Sequence, residues 1–162
     1  MKSTYRVLFV CMGNICRSPA GECVFRSLID SNGYSGFIET DSAGTINFHE
    51  GNQPDSRMQA TAANRGYNIQ GAARQIKKED FEAFDLIITM DDENFHKVSR
   101  IQPAGRTRAS VHKFCEFCTE HDDSEVSDPY YGGQAGFEKV LDMMEDGCAN
   151  LISFAKKQIG AG

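Results

Sequence analysis

The feature that most limits how this chain can fold is the alternation of short apolar runs with longer segments of helical periodicity. β-Branched and aromatic residues predict buried strands at Tyr5–Val10, Phe37–Asp41, Leu86–Met90 and Ala109–Phe117. Apolar residues at three- and four-residue spacing predict helices from Ser18 onward, at Asp55–Arg65, Lys77–Phe84 and Asp92–Ile101, and from Phe137 to Ile159. Strands that alternate with helices form βαβ units, so we expect an α/β fold with a mainly parallel sheet.

The size and charge of the chain restrict its class. With 162 residues it is expected to form one domain over 1–162 with a sizeable buried core. A net charge of -6 argues against binding along a nucleic-acid backbone, which requires a basic face. The longest apolar run, Val7–Met12, is far shorter than the ~20 residues of a membrane helix. We recognise no secretion signal, and therefore expect a cytoplasmic protein without membrane or nucleic-acid partners, whose six cysteines are thiols.

The loop between the first strand and the first helix is the first place to look for chemistry, because parallel sheets bind ligands at the carboxyl ends of their strands. It runs from Cys11 to Ser18 and contains no proline, so each of its N–H groups is free to point inward. Gly13 and Asn14 tolerate the positive φ that a curled loop requires. Such a loop before a helix N-terminus predicts an anion-binding nest.

Arg17 and Cys11 give this loop its chemical character. The guanidinium of Arg17 suits two oxygens of a phosphate, and Cys11 would face the centre of the nest as a nucleophile. The loop lacks the lysine of the nucleotide phosphate loop and the glycine pattern of a dinucleotide-binding fold. The alternative interpretation is that the cysteines are small core residues and that Arg17 lies on the surface.

The chain resembles the low-molecular-weight protein tyrosine phosphatases over nearly its whole length. The resemblance is carried by seven segments: Val7–Pro19, Asp41–Thr45, Gly51–Asp55, Ala73–Ile76, Phe84–Asp85, Met90–Asp91 and Asp128–Gly132. It implies a single three-layer domain with a four-stranded parallel sheet and helices on both faces. It also implies a two-step hydrolysis of phosphotyrosine through a cysteinyl phosphate, with no metal and no cofactor.

The resemblance also assigns roles to individual residues. Cys11 would be the nucleophile, Arg17 the phosphate ligand and Asp128 the general acid. The remaining phosphate-binding positions would be Met12, Gly13, Asn14, Ile15, Cys16 and Ser18. Support for the loop would come from Asn14, Ser42 and Asp91, and the pocket wall from Phe48, Tyr130 and Tyr131.

The implied partners are a phosphotyrosine-containing protein or peptide and inorganic phosphate as product, with the enzyme a monomer or weak homodimer. Ile15 favours an aryl phosphate, because relatives that act on phosphoarginine usually carry threonine there. Taken alone, Asp128-Pro129 is more typical of a turn than of a catalytic acid. The spacing and the family together suggest that Cys16 traps oxidised Cys11 as a disulfide. Gly71 stands where many members have histidine, so we expect different hydrogen-bonded support for the loop.

Two other functions compete with this interpretation. A thiol-dependent arsenate reductase on the same scaffold needs further cysteines, and Cys115 and Cys118 are an imperfect match for them. A non-catalytic phosphate-binding module is the other. A zinc site built from His112, Cys115, Cys118 and His121 is disfavoured because a strand sends alternate side chains to opposite faces. The remaining expectations are surface positions for His49 and His96 and packing roles for Cys23 and Cys148.

Overall fold

A computed structural model describes residues 4–160 and contains a four-stranded, all-parallel sheet. The strands are β1 (Tyr5–Cys11), β2 (Ile38–Gly44), β3 (Leu86–Thr89) and β4 (Ser110–Lys113), in the spatial order β2-β1-β3-β4. The helices are α1 (Arg17–Ser31), α2 (Ser56–Ala63), α3 (Asp80–Ala83), α4 (Asp92–Ile101) and α5 (Gln134–Gly160), with a 3-10 helix at Phe114–Phe117. No helix within residues 4–160 combines the length and apolarity needed to cross a membrane.

The central strand β1 divides the core into two layers. Val7 and Phe9 are fully buried on one face with residues of α1 and α5, whereas Leu8 and Val10 are fully buried on the other with residues of α3 and α4. A strand buried on both faces has a continuous apolar sequence because alternate side chains enter opposite layers. The predicted α/β class, with helices on both faces of a four-stranded parallel sheet, is confirmed.

Helix α1 approaches the sheet closely at Gly21. A Cβ atom at this position would lie 2.8 Å from Cδ1 of Phe9, so a larger residue would push the helix away. The rings of Phe9 and Phe25 meet edge to face with centroids 5.8 Å apart. This contact holds α1 against β1.

The topology brings several loops to one edge of the sheet. The chain passes from β1 to β2 on one side and later returns to β3 on the other side of β1. The carboxyl end of β1 is therefore the switch point at which open α/β sheets bind ligands. Backbone bonds join the neighbouring loops there: Thr45 N–H donates to the Cys11 carbonyl at 2.9 Å, and Val126 N–H donates to the Met90 carbonyl at 2.8 Å.

The fourth strand is shorter than the sequence pattern predicts. We expected a strand over Ala109–Phe117, but β4 ends at Lys113 and the 3-10 helix follows it. The carboxylate of Glu116 accepts a hydrogen bond from the Lys113 N–H at 2.9 Å and turns the chain. A local bond of this kind competes with strand pairing, and apolar patterning does not reveal it.

The third helix is also shorter than the predicted Lys77–Phe84, because a buried carboxylate shapes its entry. Asp80 accepts hydrogen bonds from the Lys77 N–H at 2.9 Å and from the Arg74 side chain at 3.0 Å. Residues 77–79 therefore form a turn, and only Asp80–Ala83 is helical.

Other boundaries differ at their ends. Strand β2 continues to Gly44 rather than ending at Asp41, and α5 begins at Gln134 rather than Phe137. Helix α2 begins after Asp55, whose carboxylate caps it by accepting from the Arg57 N–H at 2.8 Å.

Candidate active site

The loop from Cys11 to Ser18 lies at the switch point and has its carbonyl groups turned outward. The carbonyls of Cys11, Met12 and Ile15 accept hydrogen bonds from the backbone N–H groups of Thr45, Ile46 and Asp55, at 2.9, 3.2 and 2.8 Å. A tight loop whose carbonyls bind its surroundings turns amide groups toward its own centre. This is the geometry of an anion nest.

Cys11 lies at the end of β1 with its sulfur inside the loop. The residue is 2% exposed. Its Sγ is 3.0 Å from the hydroxyl oxygen of Ser18, and the Asn14 N–H donates to it at 3.3 Å. The Asn14 N–H therefore points at the sulfur, and the Ser18 hydroxyl lies within hydrogen-bond distance on another side of it.

Asn14 holds the loop in its curled form. It has a φ of 59°, in the left-handed region that few residues other than glycine adopt. Its side-chain amide donates to the hydroxyls of Ser18 and Ser42 at 2.8 and 3.0 Å, and its carbonyl oxygen accepts from the Arg74 N–H at 3.0 Å. The residue is buried, so these three bonds replace contacts with water.

Ser42 is fixed in turn by Glu22, a residue that the sequence analysis missed. The Ser42 hydroxyl donates to the Glu22 carboxylate at 2.6 Å. Gly71 lies beside them, and a small cavity of about 70 Å³ is lined by Gly71, Asn14, Ser42 and Glu22 among others. Gly71 has no side chain with which to bond the loop, whereas Glu22 of α1 bonds Ser42 directly. The position of Glu22 one helical turn after Ser18 was the available signal.

Arg17 is held by contacts with two other loops. Its Nη1 donates to Asp91 Oδ2 at 2.6 Å and to the Val126 carbonyl at 2.9 Å. Asp91 also caps α4 by accepting from the Asn94 N–H at 2.8 Å. Burial lowers the pKa of Arg17, but Cys11 and Asp91 raise it by more, so the net shift is upward and the guanidinium stays charged.

Asp128 enters the site from the loop before α5. Its Oδ2 lies 3.7 Å from Nη2 of Arg17, and its Oδ1 accepts from the Tyr130 N–H at 3.0 Å. The side chain is 34% exposed and lines the cavity above the loop. The bond from Arg17 to the Val126 carbonyl fixes the chain just before Asp128 and so places this carboxyl group.

The loop, Arg17 and Asp128 surround one cavity of about 250 Å³. Its lining residues are Cys11, Met12, Gly13, Ile15, Cys16, Arg17, Ile46, Phe48, His49, Asp128, Tyr130 and Tyr131. The expected wall residues are therefore brought together here. Asn14, Ser18, Ser42 and Asp91 stand behind the lining and contact it through hydrogen bonds.

His49 is a correction, because we expected it on the surface and it lines the cavity. Its ring centroid lies 4.9 Å from that of Phe48 and 6.2 Å from that of Tyr130. Gly13 leaves room for it, since a Cβ there would lie 3.0 Å from the His49 Cδ2. Its position beside Phe48, in the segment after β2, was the signal that could have identified it.

The walls of the cavity are aromatic and partly exposed to solvent. Phe48 and Tyr131 are 80% and 91% exposed, and the rings of Tyr130 and Tyr131 meet edge to face with centroids 5.0 Å apart. Exposed aromatic side chains around a concave site are typical of a ligand-binding rim.

The other cysteines differ in environment. Burial, with Asp55 next in effect, raises the pKa of Cys16, which therefore stays a thiol at neutral pH. Cys23 and Cys148 are buried, as expected of packing residues. Cys115 and Cys118 do not line the cavity.

Comparisons with known proteins agree with this geometry. The family model of the low molecular weight phosphotyrosine protein phosphatases matches residues 6–161. A Synechocystis sp. protein that carries the family's name is 47% identical over 95% of this chain and 98% of its own. The human low molecular weight phosphotyrosine protein phosphatase is 40% identical over 95% of this chain and 98% of its own.

Solved structures give the same result. A protein tyrosine phosphatase from Entamoeba histolytica, crystallised with Hepes in its active site, superposes with a TM-score of 0.92. It is 41% identical, and the match covers 96% of this chain and 99% of that one. The chain belongs to the low molecular weight phosphotyrosine protein phosphatase family.

Proposed function

We propose that the protein hydrolyses aryl phosphate monoesters, and phosphotyrosine in proteins or peptides above all, through a covalent intermediate on Cys11. One observation carries the proposal. The sulfur of Cys11 accepts from the Asn14 N–H at 3.3 Å, on the floor of a cavity that also exposes Arg17 and Asp128. A nucleophile, a phosphate ligand and a proton donor thus face the same space.

In the first step the Cys11 thiolate attacks phosphorus and the bond to the phenolic oxygen breaks. Arg17 and the loop amides hold the three equatorial oxygens, where charge is concentrated in the transition state. Asp128 gives its proton to the departing phenolate. Ser18, 3.0 Å from the sulfur, stabilises the thiolate as nucleophile and later as leaving group.

In the second step water replaces sulfur on phosphorus. Asp128, now ionised, takes a proton from the attacking water, and the S–P bond breaks to release inorganic phosphate and the Cys11 thiolate. The leaving phenolate and the attacking water both lie on the side of phosphorus opposite the sulfur. A carboxyl group that serves first as acid and then as base must therefore lie on that side. The contact of 3.7 Å between Asp128 and Arg17 supports that position.

The aromatic rim supports a preference for aryl substrates. The rings of Phe48, Tyr130 and Tyr131 offer flat apolar surface to a phenyl group, and Ile15 adds an aliphatic contact on the floor. A shorter alkyl phosphate would leave these walls unfilled or fail to reach Cys11.

No contact in the described part of the chain favours either alternative, the arsenate reductase or the non-catalytic phosphate-binding module. An arsenate reductase needs a cysteine relay from the nucleophile, but Cys115 and Cys118 do not line the cavity. A non-catalytic phosphate-binding module would not need a carboxyl group beside the Arg17 guanidinium.

The test is hydrolysis of p-nitrophenyl phosphate with a metal chelator present. We expect turnover by the wild type, none by Cys11→Ser, and a loss of about 10²–10⁴-fold in kcat for Asp128→Ala. Matched controls are Cys23→Ser, a packed cysteine on α1, and Asp122→Ala, an exposed acid on the same loop as Asp128. Both should stay within a few-fold of the wild type. Turnover that survives Cys11→Ser would exclude the proposed nucleophile.

A further inference from the structure

Outside the active site, the most distinctive cluster of reactive groups is a pair of cysteines beside the 3-10 helix. Cys115 lies within this helix and Cys118 directly follows it. The Cys118 N–H donates to the Cys115 carbonyl at 3.2 Å, so a single hydrogen-bonded turn joins the two residues. Both residues are half-buried, so small reagents can reach them.

The turn has dimensions that permit a disulfide. Residues i and i+3 of a hydrogen-bonded turn have Cα atoms less than about 7 Å apart. Disulfides span Cα separations of about 4.4–6.8 Å. Because the hydrogen-bonded turn already sets this Cα separation, closing the bond needs a rotation of side chains rather than a large movement of the backbone.

The surrounding structure holds the pair in register. Cys118 Sγ donates weakly to the Met143 carbonyl of α5 at 3.9 Å. The Asp146 carboxylate, also on α5, accepts from the N–H groups of Thr119, Glu120 and His121 at 2.9, 3.0 and 3.1 Å. The chain leaving Cys118 is therefore anchored, which keeps the second thiol close to the first.

We propose that Cys115 and Cys118 form a thiol–disulfide exchange site, separate from the active site, that is oxidised by low-molecular-weight disulfides without negative charge. The Cys115 thiolate attacks one sulfur of the disulfide RSSR, forming a mixed disulfide and releasing RS⁻. Cys118 then loses its proton and attacks Cys115 Sγ, which closes the internal disulfide and expels the second RS⁻. One released thiolate takes the proton, so two protein sulfurs are oxidised and RSSR is reduced to RS⁻ and RSH.

The order of attack follows from the bond that the Cys118 thiol donates to the Met143 carbonyl, because this bond requires the Cys118 proton. The neighbouring Cys118 thiol lowers the pKa of Cys115, whereas the Cys115 thiol, burial and Asp146 raise the pKa of Cys118. Cys115 is therefore the more reactive thiolate and Cys118 the resolving thiol.

The preference for reagent charge follows from the acidic side chains around the pair. Asp123, Glu125 and Asp146 all act electrostatically on Cys115. A negative potential attracts a cationic disulfide and repels an anionic one, and added salt screens both effects. A metal site is a poorer explanation, because among residues 4–160 no three His, Cys, Asp or Glu side chains form a set that could hold an ion.

Peptide mapping of the full chain tests the proposal. Trypsin releases residues 114–139 as one peptide whose only cysteines are Cys115 and Cys118. The Cys11→Ser variant is treated with cystamine, which is cationic, with 2-hydroxyethyl disulfide, which is neutral, or with glutathione disulfide, which is anionic. The remaining thiols are then alkylated, the protein is digested with trypsin, and the peptide masses are measured by mass spectrometry. We expect this peptide to lose both alkyl groups, with a rate that falls about tenfold or more from cystamine to glutathione disulfide at low salt.

Two variants distinguish the roles of the thiols. Cys118→Ser should accumulate a stable mixed disulfide on Cys115. In Cys115→Ser, the remaining Cys118 thiol should form a mixed disulfide at least about tenfold more slowly than Cys115 does in Cys118→Ser. The peptide containing Cys148, which is fully buried, is the internal control. Its thiol should not react with any of the disulfides in the folded protein and should be alkylated only once the protein is unfolded. The proposal is overturned if residues 114–139 keep two free thiols under these conditions, or if the two cysteines join only between molecules. Equal rates for the three reagents would overturn the charge preference.

Discussion

Replacing Asn14 by alanine should destabilise the fold and the site together, and the size of the effect follows from three contacts. The side chain bonds Ser18 and Ser42 at 2.8 and 3.0 Å and accepts from the Arg74 N–H at 3.0 Å. At about 1 kcal/mol for each buried hydrogen bond, their loss lowers the free energy of unfolding by about 3 kcal/mol.

Backbone strain adds to this figure. Asn14 has a φ of 59°, where alanine is disfavoured by about 1–2 kcal/mol. Asn14→Ala should therefore lower the free energy of unfolding by about 4–5 kcal/mol in total. Asn14→Gly is the matched variant, because glycine accepts this φ but makes none of the three bonds. It should cost about 3–4 kcal/mol, including its greater entropy when unfolded.

Urea denaturation measures both variants, with the midpoint shifting and the slope unchanged. Turnover of p-nitrophenyl phosphate by the folded protein should fall about 10²-fold in both, because the Asn14 N–H and Ser18 would lose their fixed positions at the sulfur. If Asn14→Ala stays within about 0.5 kcal/mol of the wild type, the hydrogen bonds do not support the loop. If Asn14→Gly is the less stable of the two, the strain argument is wrong.

Three further perturbations follow from single contacts. Gly147→Ala would place a Cβ against the ring of Phe114 and should lower the free energy of unfolding by about 1–3 kcal/mol. Gly160→Ala, on the same helix, meets open space and should leave the stability unchanged, and thermal melts of the two variants make the comparison. Burial raises the pKa of Asp146, but hydrogen bonds from Thr119 and its neighbours lower it by more, from 3.8 to about 2. Its contribution to stability is therefore complete above pH 4 and lost as the pH falls toward 2; Asp146→Asn should show a shallower loss of stability across that window in urea titrations. Arg17→Lys removes the planar fork and should reduce kcat/KM by at least about 10²-fold and weaken competitive inhibition by inorganic phosphate; a change in neither would exclude Arg17 as the phosphate ligand.

The sequence by itself predicted the fold class, the parallel sheet and the loop from Cys11 to Ser18. These depend on local properties: apolar runs that enter two layers, glycine and asparagine where φ is positive, and a helix start after an uninterrupted series of N–H groups. Where a local pattern conflicted with a side-chain bond, as at Glu116 and Asp80, the predicted element was too long.

Only the tertiary structure decided which distant side chains meet at the site. The bond from Ser42 to Glu22, the bond from Arg17 to the Val126 carbonyl and the place of His49 in the wall join segments far apart in the chain. The same holds for Asp146, which anchors the segment after Cys118 from another helix. Periodicity and residue type describe each segment alone, whereas these contacts depend on how the packed sheet and helices orient the segments relative to one another.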